Sequence, residues 1–352
     1  MQRSEPNVFP KDQATERQGR VTILDVAAAA GVSKSTVSRV LDERLPRSDN
    51  ETARRVRQIA ADLGYFRDVS AASLRRGRTG TIGVIVPRLT DTVMAMLYEA
   101  IAQACAKRGL FAIVATTNDD PMADRAAADR LLRQGVDGLL LSTNRDDDDM
   151  TRELSERGVT YVLALRTDGK SLSSVGDDDF GGFLATRHLL DLGHRRIGII
   201  AGPDYASSSR GRLDGYRRAM AEAGIEVDPA WVAPSSFDID TGAAAADRLM
   251  SGANPPTAIF AVNDNTAIGA MSRLMQRGLS VPDDVSLVGY NDIPIVRHLA
   301  TPLTTVRVPF DQVASAALDL LEASPSSAAE RIHRATPTLI PRKSAAPPKS
   351  GG

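Results

Sequence analysis

Residues 21–41 read VTILDVAAAAGVSKSTVSRVL, and their spacing decides how the first part of the chain folds. Thr22 precedes an apolar-periodic run, Ile23, Val26, Ala27 and Ala30, with Asp25 in the first turn, where a carboxylate is favoured by the helix dipole. The pattern predicts a short helix capped by Thr22, a tight turn at Gly31, and a second helix capped by Ser33 that buries Val37, Val40 and Leu41. Lys34, Ser35, Ser38 and Arg39 are left on the outside of that second helix, two cations among short hydroxyls. Such a face fits a DNA major groove, where Arg reads guanine and Ser or Lys reaches bases and phosphates. A third helix from about Asn50 to Leu63, capped by Asp49 and buried through Val56, Ile59 and Leu63, completes a three-helix headpiece with Arg54, Arg55 and Arg57 on its other face. Any one of these Ser or Arg residues alone reads as a solvated surface position. Together, cap, turn, buried triplet and basic face fall at the helix-turn-helix spacing.

Outward from this segment the character of the chain changes near residue 80. The runs TIGVIV (81–86), LFAIVAT (110–116), GLLL (138–141), TYVLAL (160–165), IGIIAG (197–202), TAIFAV (257–262) and VSLVGY (285–290) alternate with Ala-rich helical stretches. Continuous apolar runs separated by helices predict parallel strands covered on both faces. Gly109, Gly135, Gly158, Gly193, Gly224 and Gly278 stand where helix C-caps are expected. The whole chain has 352 residues, 42% hydrophobic and 25% charged, ordinary globular composition for two or three domains. Its net charge is only −1, but residues 1–80 hold 15 basic and 10 acidic side chains against 28 and 34 in the rest, so a basic piece precedes an acidic body. A single cysteine, Cys105, rules out an intramolecular disulfide framework and suits a reducing compartment. No apolar stretch reaches the roughly 18 residues of a membrane span and the first 20 residues lack a signal-like apolar region, so a cytoplasmic location without a membrane partner is expected. Residues 1–20 read as a disordered arm, and 343–352, ending in Pro, Ser and Gly, as a disordered tail.

The stretch 21–41, continued by LGYFRDVSAASLRRGRTGTIGVIVP (63–87), resembles the headpiece, hinge and first effector-domain strand of the lactose-repressor (LacI/GalR) family of transcription regulators, and the resemblance covers essentially all of the chain after residue 20. It implies an all-α helix-turn-helix headpiece at 21–66, a hinge at 67–78, and a two-lobed α/β effector domain of periplasmic-binding-protein type at 79–342. On that mapping lobe 1 is about 79–176 and 309–325, and lobe 2 about 177–307 and 331–342. The chain is expected to cross between lobes at 176–179, at 290–292 with the loop after it, and at 306–309. The DNA contacts implied are Thr22, Ser33, Lys34, Ser35, Thr36, Ser38 and Arg39, with Ala71, Leu74 and Arg75 in a hinge helix whose Leu74 would wedge a minor-groove base step. One departure is Arg67-Asp68, where the family commonly has Pro-Asn before that helix.

Carried over in the same way, effector contacts fall on Asp91, Met94, Arg166, Arg212, Phe237, Asn263 and Asn291. The set suits a polyol or heterocycle: a planar guanidinium fork, amides that both donate and accept, and an aromatic face. Asp91-Thr92-Val93-Met94 replaces the usual Asn-Pro-Phe-Phe, Leu165-Arg166 the usual Asp-Arg, and Asn291 the usual Asp. Two carboxylates are thus missing while two arginines stay, which points toward an anionic effector such as a sugar acid. The expected whole is a dimeric repressor on a pseudo-palindromic operator, governed by a sugar, sugar acid or related metabolite. An activator or co-repressed regulator of the same family is the nearest alternative. A transport solute-binding protein would lack the headpiece. An enzyme would need a convergent nucleophile or acid–base pair, and neither a GxSxG elbow, a phosphate loop nor a dinucleotide fingerprint is present. No cofactor or metal is expected; the acidic runs 146–149 and 177–179 read as solvated or capping loops.

Overall fold

The structure, a computed structural model, describes residues 21–42, 46–66, 79–323 and 331–349. The arm 1–20 and the hinge 67–78, with Ala71, Leu74 and Arg75, lie outside the described residues. The chain divides into two compact units, Met1–Gly77 and Arg78–Gly352.

The first unit holds α1 (Ile23–Ala30), α2 (Lys34–Val40) and α3 (Glu51–Asp62). Thr22 and Asp25 form a reciprocal capping box, Gly31 takes φ 62° to end α1, and Ser33 caps α2 through the Thr36 N–H. Val26, Ala27, Ala30, Val37, Val56 and Ala60 make the core. Two expectations are corrected in the third helix. Asn50, not Asp49, caps it, its Oδ1 accepting from the Ala53 N–H at 2.8 Å, because the helix starts one residue later and leaves Asp49 to Arg57. Leu63 lies beyond the last helical turn, exposed, and the small residues Ala53 and Ala60 take the buried face instead.

The second unit is built on two six-stranded sheets. The first contains β1 (Thr81–Val86), β2 (Phe111–Thr116), β3 (Gly138–Leu141), β4 (Tyr161–Ala164), β5 (Ser173–Gly176) and β11 (Ile332–Ala335), in the order β11-β5-β4-β3-β1-β2 and parallel throughout. The second contains β6 (Ile197–Ala201), β7 (Val232–Pro234), β8 (Ala258–Ala261), β9 (Ser286–Asn291), β10 (Thr304–Arg307) and β12 (Thr338–Ile340), in the order β12-β10-β9-β8-β6-β7, with only β12 antiparallel. Helices α4 (Thr92–Lys107), α5 (Pro121–Arg133), α6 (Met150–Glu156) and α11 (Phe310–Glu322) accompany the first sheet; α7 (Asp178–Asp191), α8 (Ser207–Glu222), α9 (Ile239–Met250) and α10 (Asp264–Gln276) the second. The glycines expected at helix ends, Gly109 to Gly278, all sit at left-handed φ.

Topology corrects the lobe boundaries. Residues 332–335 pair with β5 in the first sheet rather than belonging to lobe 2, since His333 and its neighbours complete the open edge of β5. The chain changes sheet after Gly176, between Arg307 and Phe310, and between Ala335 and Thr338; 290–292 is not a crossing, because β9 and β10 pair within the second sheet. The tail is also corrected across 343–349. Ser344 is fully buried, its Oγ donating to Leu287 O at 2.6 Å and accepting from the Thr304 N–H at 2.8 Å, and His194 Nε2 lies 2.9 Å from Ala346 O. Backbone partners on the second sheet order a segment whose composition alone suggests none.

Candidate functional site

On the headpiece, Ser33, Lys34, Ser35 and Arg39 are exposed, while Thr36 and Ser38 are half-buried. Ser33 Oγ lies 2.8 Å from Ser35 Oγ and 2.9 Å from Thr36 Oγ1, so a hydroxyl cluster sits at the positive end of α2. Thr22 is held by Asp25, whose Oδ2 accepts from both its backbone and hydroxyl at 2.7 Å and whose carboxyl those bonds pull below the usual range. Arg55, expected on a free basic face, instead donates to Ala30 O at 2.9 Å and ties α3 to the end of α1.

In the second unit the switch points of both sheets, β1 and β6, open toward one cleft of about 600 Å³. It is lined from the loops after β1, β2, β4, β7, β8 and β9 and the first turns of α8, the carboxyl ends where open α/β sheets bind ligands. All seven residues carried over as effector contacts line it: Asp91, Met94, Arg166, Arg212, Phe237, Asn263 and Asn291. The backbone singles out the same place. The described non-glycine residues at positive φ are Asn118, Asp119, Leu165, Phe237, Asn291 and Asp292, all at strand ends around the cleft, and four of them line it. Backbone held in sparsely populated conformations costs energy and collects where side chains must be aimed.

Each side chain has a support. Asp91 caps α4 through the Val93 N–H at 3.0 Å and accepts from Asn265 Nδ2 of the other lobe at 3.2 Å; burial pushes its carboxyl up. Asn263 caps α10 through Oδ1 while its Nδ2 donates to Phe237 O at 2.9 Å, fixing the aromatic loop. The Phe237 ring fits against Gly202, where a Cβ would stand 2.5 Å from it. Arg212 is buried, donating to Asp178 Oδ1 at 2.9 Å and Val262 O at 2.8 Å, with its guanidinium 3.8 Å from the Tyr290 ring centroid.

The anionic-effector expectation meets a cleft wall in which both arginines are already paired. Arg166, only 4% exposed, is held bidentately by Asp119, both bonds 2.9 Å, and Arg212 by Asp178. The carboxylate absent from position 165 is supplied from the loop after β2, so both arginines arrive neutralised. Arg88, Arg166 and Arg212 face Asp91, Asp119, Asp238 and Asp240 across the lining, which leaves no positive excess. Asp119, Asp178 and Asn265 are site residues that sequence reasoning missed. Asp178 was hidden in an acidic run read as solvated or capping; Asp177 does cap α7, but Asp178 turns inward to Arg212. Likewise Asp146, Asp147, Asp148 and Asp149 each pair with an arginine rather than with solvent alone.

Comparison with known proteins follows the same division. Residues 22–68 match the model of bacterial regulatory proteins of the lacI family, and 186–345 that of a periplasmic binding protein-like domain. The HTH-type transcriptional repressor PurR of Haemophilus influenzae is 34% identical over 331 residues, 92% of this chain and 98% of its own; the ribose operon repressor of the same species is 34% identical over 304 residues, 85% and 90%. The Lac repressor dimer bound to operator and an anti-inducer is similar at TM-score 0.82 and 28% identity, covering 93% of this chain and all of that one. The transcriptional regulator CelR in complex with cellobiose reaches TM-score 0.71 at 31% identity, over 93% and 100%.

Proposed function

This chain belongs to the lacI family of bacterial regulatory proteins, and from that premise we propose that it is a cytoplasmic, homodimeric repressor whose operator binding is set by an uncharged, hydroxyl-rich effector in the interlobe cleft. The observation that carries the effector half is the convergence of strained backbone and paired polar side chains on one cleft. Arg166 and Arg212 come with their counter-ions, so they act as oriented donor forks and not as a charge trap, and a sugar or nucleoside-like ligand is favoured over a sugar acid. Asn263 and Asn291, both buried, offer amide donors and acceptors, and Phe237 an apolar face. Solved structures of LacI-family regulators with bound cellobiose or ribose support the class.

In the DNA half, α2 enters the major groove with Arg39 reading a base edge and Lys34, Ser33, Ser35, Thr36 and Ser38 placing it, while Thr22 and the hinge residues Ala71, Leu74 and Arg75 contact the backbone and minor groove. A two-fold dimer calls for a two-fold site. Ligand and DNA are coupled because each prefers one arrangement of the lobes. A thermal-shift panel of neutral sugars, nucleosides and sugar acids tests the effector class. The expected result is stabilisation by a neutral member, lost in Asn263→Ala; stabilisation by a sugar acid alone would overturn it.

A further inference from the structure

We propose that Tyr205 is a positioning residue that holds the two lobes together over the cleft and, in the same contact, steadies the Arg166–Asp119 pair in the cleft wall; the functional meaning rests on the effector reading above. Tyr205 lies in the loop between β6 and α8 of the second lobe, yet its contacts are on the first. Its carbonyl accepts from the Asp146 N–H at 3.2 Å. Its ring lies under the Arg145 guanidinium, 3.7 Å from the centroid, with Arg166 at 5.7 Å. Its hydroxyl reaches Asp119 Oδ2 at 3.4 Å, the same oxygen that accepts from Arg166 Nη2 at 2.9 Å. Two neighbours extend the seam: Arg210 pairs with Asp146, and the Thr167 N–H donates to Ser207 Oγ at 2.8 Å.

These distances rank the contributions. A hydroxyl bond at 3.4 Å is long and weak, whereas a guanidinium 3.7 Å above a half-buried ring is a close cation–π contact. The ring therefore provides most of the hold, and the hydroxyl tunes Asp119. The first lobe is shaped for this partner. Asn118 and Asp119 take consecutive left-handed conformations, φ 57° and 60°, which turn the Asp119 carboxylate toward Arg166. Arg145 is itself bidentate to Asp147, both bonds 2.8 Å, so its plane is fixed before the ring arrives. Separating the lobes removes the aromatic face from Arg145 and one of two partners from Asp119. The presentation of Arg166 to a ligand thereby becomes dependent on closure.

Spin labels at Ala126→Cys on α5 and Ala244→Cys on α9, both exposed, read the lobe spacing by pulsed electron resonance in full-length protein diluted with unlabelled chain; Cys105 is buried and stays unlabelled. Hydrogen exchange at the Asp146 and Thr167 amides, both donors across the seam, is the second readout. Tyr205→Phe should keep the parent distance and exchange within about three-fold. Tyr205→Ala and Arg145→Met should lengthen and broaden the distance and speed both amides at least roughly ten-fold, while the strand amides of Leu140 and Phe260 keep their rates. Parent-like distances and exchange in Tyr205→Ala would overturn the proposal, and so would acceleration spread equally through Leu140 and Phe260, which marks a general folding role. Neither readout involves DNA or effector, so this failure is separable from failure of the cleft reading.

Discussion

Replacing Asp119 by Ala leaves Arg166 buried without its counter-ion, and the cost can be worked from the geometry. The side chains of Arg166 and Asp119 are 5% and 12% exposed, and two parallel 2.9 Å bonds join them. The hydrogen-bond acceptor that remains for the guanidinium is Asn144 O at 3.5 Å, too far for a good bond, beside the distant Tyr205 ring. Removing one partner of a buried pair typically costs about 3–5 kcal/mol, because the other charge stays desolvated. For a body of this size, each kcal/mol moves the melting temperature by roughly 2–4 °C, so a fall of roughly 6–20 °C is expected. Asp119→Asn keeps one acceptor and should lose about half as much. The double variant Asp119→Leu with Arg166→Met removes both charges and should recover at least about 2 kcal/mol of the single-variant loss, since apolar replacement of a buried pair is often neutral or better. Urea unfolding followed by far-UV circular dichroism on the parent, the two single variants and the double variant measures these losses. An Asp119→Ala protein within about 1 kcal/mol of the parent, or a double variant no better than the single, would refute the buried-pair description and reopen an anionic effector.

Three other outcomes follow from separate parts of the molecule. Gly269→Ala places a Cβ 1.9 Å from Ile239 O, helix backbone that cannot yield, so α9 and α10 must separate at a cost of about 3 kcal/mol or more. Gly252→Ala, whose nearest contact is 3.8 Å, is the control that thermal melting should find near neutral. Asp264, buried with Thr305 Oγ1 at 2.6 Å and the Ile293 N–H at 2.8 Å, has its carboxyl pushed up by burial to about 7. The folded state then binds more protons than the unfolded one between about pH 4 and 7, so stability falls as pH rises through that window and levels off above it, by on the order of 4 kcal/mol in all. Thermal melts of Asp264→Asn should lack this slope; parallel pH profiles for the two proteins would rule it out. On the headpiece, Arg39→Ala should cost about 1–3 kcal/mol on the selected operator and little on random duplex, measured by fluorescence anisotropy at fixed salt; equal losses on both would remove its base-reading role.

The strands that were legible are those with buried apolar runs, such as TIGVIV and TAIFAV, because burial on both faces leaves a continuous hydrophobic signature. The strand Ser173–Gly176 carries no such signature, yet it is fully buried, since Ser174 Oγ donates to Val313 O at 2.8 Å and the polar atoms need no water. Ile332–Ala335 and Thr338–Ile340 are short edge strands whose pairing is fixed by partners more than 30 residues away, and no local pattern separates their sheets. The headpiece was legible in detail because caps and turn lie within 20 residues of one another. In the cleft, it was the family resemblance that marked the residues of the wall. Their counter-ions did not show: Asp119 and Arg166 are 47 positions apart, and only the folded loop reveals that one neutralises the other.

The proposed function is that of a headpiece reading DNA under the control of a small molecule in the cleft. Its most direct test is selection of bound sequences from random duplexes by the full-length protein, repeated with and without the effector found in the thermal-shift panel. One palindromic sequence should be enriched, with its recovery altered at least roughly ten-fold by that effector and sharply lowered by Arg39→Ala. Enrichment of no two-fold sequence in either condition, or recovery indifferent to the effector, would contradict it.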